Sequence, residues 1–118
     1  MPIKFSSEAD LAVLRISGKL VKKEFDQALG QCKALIEGNR KIKILAVLEN
    51  FSGWESADGW NDMSFADEND RYIHKFALVV DAKWHDMAYA FTAKDLRSIP
   101  IEFFDGNQEA AARAWLNA

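Results

Sequence analysis

The sequence predicts an α/β domain: a mostly parallel five-stranded sheet, opened by an antiparallel hairpin and carrying about four helices. Three observations predict it. Two short runs rich in branched and aromatic residues stand side by side near the start. Two further apolar runs, Ile44 to Leu48 and Phe76 to Val80, lack the polar alternation of a half-exposed strand, as strands covered on both faces by helices do. Segments with helical spacing follow or separate them.

The opening pair is Ile3-Lys4-Phe5 and Leu11 to Ile16, joined by the polar stretch Ser6-Ser7-Glu8-Ala9-Asp10, which reads as a hairpin. From Val21 to Glu37 the residues Phe25, Ala28, Leu29, Cys32, Leu35 and Ile36 recur with the period of one helix face, and Gly38-Asn39 supplies a stop. Residues 55–71, between the two apolar strands, are expected to be helical for most of their length. Lys83 to Asp95 forms a third helix, with Trp84, Met87, Ala88 and Phe91 at i, i+3, i+4 and i+7. Pro100 to Phe104 is expected as an edge strand, since proline at a strand start costs no ladder bond. Asp105, with Gln108 three residues on, suggests a capping-box start for a last helix ending at Ala114-Trp115-Leu116. Strand, helix, strand in succession implies right-handed crossovers.

A length of 118 residues, 49% hydrophobic and 28% charged, suits a single domain over residues 1–118 with one core. The apolar runs are far shorter than the ~20 residues of a membrane-spanning helix. The start, Met-Pro-Ile-Lys-Phe-Ser-Ser-Glu, lacks the pattern of a secretory signal, so a cytoplasmic location is expected. The single cysteine, Cys32, lies on the apolar side of its helix and reads as a small hydrophobe. The net charge of -3 conceals polarity. Residues 11–43 hold eight basic against three acidic side chains, while residues 49–70 hold seven acidic and no basic ones. An acidic chain whose basic stretch has little aromatic interleaving is not expected to bind nucleic acid.

Several segments taken together resemble the SpoIIAA-like family, a branch of the STAS and CRAL-TRIO-like folds. They are Glu49-Asn50-Phe51-Ser52-Gly53-Trp54, His74-Lys75-Phe76, Asp81-Ala82-Lys83-Trp84, and Phe103-Phe104 followed by Ala114-Trp115-Leu116. The resemblance implies a small βα superhelix that binds a partner or a hydrophobic small molecule, sometimes near membranes, with no established chemistry. STAS antagonists of similar fold carry a phosphorylatable serine in an Asp-Ser-Ser-Gly-type turn. The nearest stretch here, Glu55-Ser56-Ala57-Asp58-Gly59, departs from that pattern and leaves Ser56 as a positional candidate for regulation.

Ligands of open parallel sheets gather beyond the carboxyl ends of the strands, which directs attention to residues 49–54, 81–84 and 105–107. Large apolar side chains are dense on the segments that follow. Trp54, Trp60, Met63, Trp84, Met87 and Phe91 are expected to line a pocket between the sheet and lid helices, accepting a small apolar or amphipathic ligand or a lipid. An aromatic core is the competing account of the same residues. The alternative function is a STAS-type regulatory protein-interaction domain docking around Ser52 and Ser56. Peripheral membrane contact would use the basic Lys19, Lys22 and Lys23, and the edge strand Ile3-Lys4-Phe5 offers a route to a homodimer.

Chemistry has little support. His85 next to Asp86 sits at a helix start without a recognisable nucleophile, and His74 reads as a strand-entry residue. Asp62, Asp67, Glu68 and Asp70 lack the spacing of a calcium loop. No phosphate-cradling loop or nucleophile elbow is present. The expectation is therefore a non-enzymatic module without a cofactor or metal.

Overall fold

The computed structural model describes residues 3–55, 64–94 and 97–118. Strands β1 (Ile3–Glu8), β2 (Leu11–Leu20), β3 (Ile42–Trp54), β4 (Ile73–Val79) and β5 (Ile101–Phe104) form one sheet. Helix α1 (Lys22–Asn39) joins β2 to β3, α2 (Ser64–Asn69) precedes β4, α3 (His85–Thr92) precedes β5 and α4 (Glu109–Leu116) follows it. Single 3-10 turns, Asp70–Tyr72 and Ala82–Trp84, lead into β4 and α3.

The sheet order is β1-β2-β3-β4-β5, so each strand pairs with its neighbour in the chain. β1 and β2 are antiparallel, and every later pair is parallel. The fold is the predicted one. Because the order never reverses, crossovers of a single hand lay the connecting helices on one face.

Alternation along the buried strands divides the core into two layers. Ala12, Leu14, Ile16, Ile44, Ala46, Leu48 and Leu78 point to the face where Ala28, Cys32 and Ile36 of α1 and Ala88 of α3 pack, with Phe65 of α2 beside them. Leu11, Val13, Leu45, Val47, Ala77 and Val79 point the other way, where only Ala112 and Leu116 of α4 join the buried set. Leu45 and Ala77 are fully buried, which is why their runs carry no polar position.

Several boundaries differ from expectation, each for a physical reason. β1 runs on to Glu8, because Ser6, Ser7 and Glu8 pair with Val13, Ala12 and Leu11; the turn is only Ala9-Asp10. α1 passes through Gly38 and Asn39 and ends at Arg40, whose φ of 68° turns the chain. Asp105 does not start α4. The Gln108 side chain accepts from the Asp105 N–H at 3.0 Å, as in a capping box, but Gln108 N–H returns to the Asp105 carbonyl at 2.9 Å and the helix begins at Glu109.

β3 is the largest departure. Residues 49–54, expected as a loop on the rim, continue as strand: Glu49 faces Ser17, Phe51 faces Gly18, Gly53 faces Lys19 and Trp54 faces Leu20. Asn50 and Ser52 are therefore extra residues in two successive bulges, with Asn50 at φ 49° and Gly53 at φ 109°. Bulges bend a strand and re-aim its side chains.

Candidate functional site

The bulged end of β3 turns Phe51 and Trp54 toward the start and end of the third helix, onto the face already holding α1. Phe51 and Trp54 meet edge to face at 4.9 Å between ring centres and Phe51 and Trp84 at 5.2 Å, while Trp54 and Phe91 are tilted to each other at 5.3 Å. Phe91 in turn meets Phe25 of α1 at 5.3 Å. Such pairs add about 0.5–1.5 kcal/mol each beyond their burial. Glycine at 53 is favoured by its backbone, whose φ of 109° other residues rarely adopt; a Cβ there would meet the Trp84 ring at an ordinary contact distance of 3.4 Å.

The same strand end secures α1. Val21 offers no side-chain cap, and instead Glu55 Oε1 accepts the Lys22 N–H at 2.7 Å, while Glu55 N–H donates to the Leu20 carbonyl at 2.9 Å. A carboxylate at a helix start also suits the helix dipole. The aromatic cluster and the helix it leans on are thus anchored by one stretch of β3.

Trp54 Nε1 is buried and has no hydrogen-bond partner among the described residues. A buried donor left unpaired costs about 1–3 kcal/mol. An acceptor brought by a ligand would recover that cost.

Beside this cluster, with Phe91 as shared wall, lies a cavity of about 80 Å³. Phe25 and Leu29 of α1, Phe65 and Ala66 of α2, and Phe91 and Thr92 of α3 close its sides; Ile44, Ile73 and Phe76 form its floor. Among the described lining residues its one ionic side chain is Arg97, which donates from Nε and Nη2 to both Asp70 oxygens at 2.9 and 2.7 Å, and lies over the Phe76 ring. Both side chains are largely buried, at 10% and 14% exposure, so the pair brings two charges that cancel and a planar donor edge to an apolar wall. Thr92 Oγ1 donates back to the Ala88 carbonyl at 2.9 Å and presents its methyl group to the space.

Of the residues expected to line a pocket, Trp54, Trp84 and Phe91 come together, and Phe91 lines the cavity. Met87, at 51% exposure, points to solvent along with Tyr89. Trp60, Met63 and Ser56 lie outside the described residues. The cavity floor is set near the amino ends of β3 and β4, away from the carboxyl rim. A crevice at that rim forms where strand order reverses, and this sheet has no reversal.

The remaining candidates have local partners. His85 Nε2 donates to the Val80 carbonyl at 3.0 Å with Asp105 Oδ1 3.8 Å away, so that nitrogen is occupied as a donor. His74 is exposed on β4. Cys32 is fully buried, and burial pushes its thiol up to about 12. Among the described residues no group of three or more His, Cys, Asp or Glu side chains gathers as metal ligands would. No described helix is long and apolar enough to cross a membrane.

Sequence reasoning missed Arg97, Asp70 and Glu55. An isolated arginine or acid in a polar stretch carries no periodic signal, and each acquires its role only through a partner at least 27 residues away.

Compared with known proteins, residues 11–117 match the model of the SpoIIAA-like family. The chain is similar in fold to an uncharacterized protein of the DUF3478 family with a SpoIIAA-like fold from Shewanella loihica PV-4. The TM-score is 0.69 and the identity 17%, covering 97% of this chain and 91% of that one. No curated protein matches it.

Proposed function

The chain belongs to the SpoIIAA-like family, and from that premise we propose a non-enzymatic binding module that accepts a small apolar or amphipathic ligand between the sheet and the helices α1, α2 and α3. The cavity under those helices carries the reading. Its walls are aliphatic and aromatic, with the Arg97–Asp70 pair at one side and the unpaired Trp54 N–H beyond Phe91. Sites for small molecules share this composition: a mostly apolar lining with a few placed polar groups.

The volume narrows the occupant. About 80 Å³ is below the 300–1,000 Å³ of drug-sized sites, so it suits a short alkyl or small aryl group. A lipid chain would need the Phe91 ring to turn aside, opening a path toward Trp54. Because Arg97 is already neutralised by Asp70, a neutral acceptor on the ligand is favoured over a second carboxylate.

Native mass spectrometry of protein purified from cells, with tryptophan fluorescence across a panel of short-chain alcohols, fatty acids and lipids, tests the reading. A co-purified mass, or a saturable fluorescence change lost on Ala66→Leu, is the expected result. No bound mass and no response across the panel would overturn it.

A second reading is a STAS-type regulatory domain that docks a protein partner. Exposure of Met87 and Tyr89 on α3 favours it, since large apolar side chains in the open often mark interaction surfaces. A defined partner recovered by pull-down should be lost with Met87→Asp, or with Ser56→Asp if phosphorylation controls docking. Peripheral membrane contact through Lys19, Lys22 and Lys23 predicts sedimentation with anionic vesicles at low salt.

A further inference from the structure

A second concave site lies at the opposite end of α1 from Phe25 and the aromatic cluster, and shares none of its described lining residues with the apolar cavity. It is a groove of about 530 Å³ between the C-terminal end of α1 and the turn Asp70–Tyr72. Among its described lining residues Lys33, Arg40, Lys41 and Arg71 surround it, against the single carboxylate of Glu37; Tyr72 provides apolar surface, with the small exposed edge of the otherwise buried Ile36 beside it. Among the described residues, none of the four cations is held in an ion pair. Arg71 rests over the Tyr72 ring at 5.0 Å, which keeps that guanidinium beside the aromatic wall.

The backbone at Arg40 breaks a local rule. Its φ of 68° and ψ of -48°, with the Lys41 N–H donating to the Asn39 carbonyl at 2.8 Å, make a γ-turn of the positive-φ kind, a strained conformation. Helices commonly end with glycine in positive-φ backbone, and Gly38 stands only two residues earlier. The chain instead places a long cationic side chain at the strained position, facing the groove.

We propose that this groove binds a phosphomonoester carrying a small apolar or aromatic body. A phosphate monoester brings nearly two negative charges and three acceptor oxygens, matching two guanidinium and two ammonium groups, whereas a monocarboxylate would leave most donors unused. Ile36 and Tyr72 receive the body. The volume falls in the range of small-molecule sites. An extended polyanion such as nucleic acid would run off this patch onto a chain whose net charge is -3.

The test is a titration of ¹⁵N-labelled full-length protein with phenyl phosphate, benzoate and inorganic phosphate at low salt. Phenyl phosphate should shift amides of residues 33–41 and 69–72, more tightly than either other ligand. Arg71→Gln should weaken it about ten-fold, the loss of one charge-assisted hydrogen bond. Arg40→Gly should weaken it similarly while holding or raising the melting temperature, because glycine relaxes the turn. That separates lost binding from lost folding. Sedimentation with phosphatidate vesicles, compared with phosphatidylcholine, assigns the phosphate to a lipid headgroup; binding of the soluble ester without vesicle binding assigns it to a free metabolite, and both support the groove's chemistry. No amide shifts with phenyl phosphate, equal affinity for benzoate, or undiminished binding by both variants would each overturn the proposal.

Discussion

One face of the sheet lies under three helices and the other under α4 alone, and the two are closed by different means. Under α1, α2 and α3 the surface is large and irregular: the bulged β3 end, a ring of aromatic side chains, a cavity and an indole N–H without a partner among the described residues. Under α4 the strands present small and branched residues that meet Ala112 and Leu116, both buried. Along the edge of α4 that faces β1 and β2, charge takes over from oil. Arg15 donates to both Glu109 oxygens at 3.0 and 2.7 Å and to Glu49 at 2.9 Å, while Arg113 reaches Glu109 and Glu8. At the other end of α4, Lys75 Nζ donates to the Trp115 carbonyl at 2.8 Å and sits over the Trp115 ring. One face is thus close-packed with a polar rim; the other retains room.

That contrast can be broken most forcefully on the close-packed face. Leu116→Ala should cost about 3 kcal/mol in urea unfolding, since one of only two buried α4 side chains is cut back. Gly53→Ala comes next, at about 2 kcal/mol, because the residue would sit at φ 109° against Trp84; loss of near-ultraviolet tryptophan ellipticity should accompany it. Two alanine-to-leucine changes then sharpen the comparison. Ala112→Leu overfills the α4 face and should destabilise by about 1–2 kcal/mol, whereas Ala66→Leu enters the cavity and should be neutral or stabilising. Equal destabilisation by the two would remove the distinction between the faces.

The smallest expected effect belongs to the ionic rim. The Arg15 guanidinium, with Arg113, holds the Glu109 carboxyl below the usual carboxylate range. A lowered folded value means that the charged form is the one folding favours. The contribution is therefore full at neutral pH and fades as pH drops below about 4.5, the unperturbed value. Glu109→Gln should cost about 0.5–1 kcal/mol at pH 7 and progressively less as pH falls below about 4.5, read from paired melting curves.

How much of this was legible beforehand follows from the kind of signal each feature carries. Leu45, Val47, Ala77 and Val79 announce themselves because two-sided burial removes every polar position from a run. The helix face Ala28, Cys32 and Ile36 is equally plain from its spacing. Asn50, Ser52 and Gly53 have turn composition and suggest a loop, yet they continue a strand as bulges; pairing with Gly18 and Lys19 outweighs local preference there. Trp54, Trp84 and Phe91 could be suspected as partners from their size and their places at element ends. Met87 shares the same helical spacing but turns outward, since α3 is short and buries only a narrow stripe. The Arg97–Asp70 pair and the basic groove join distant parts of the chain, and no local pattern encodes them.

The strand order that follows the chain also sets a sequence of assembly. Every parallel pairing joins consecutive strands through a single crossover, so a polypeptide emerging from the ribosome can close β2, α1 and β3 together and then add β4 and β5 in turn. α4 is the last of the described elements to be made. Until it docks, Leu45, Val47, Ala77 and Val79 form an apolar strip open to water, and that interval is when the chain is most exposed to mispairing. The most completely sealed face of the finished protein is the one left bare longest while it is being made.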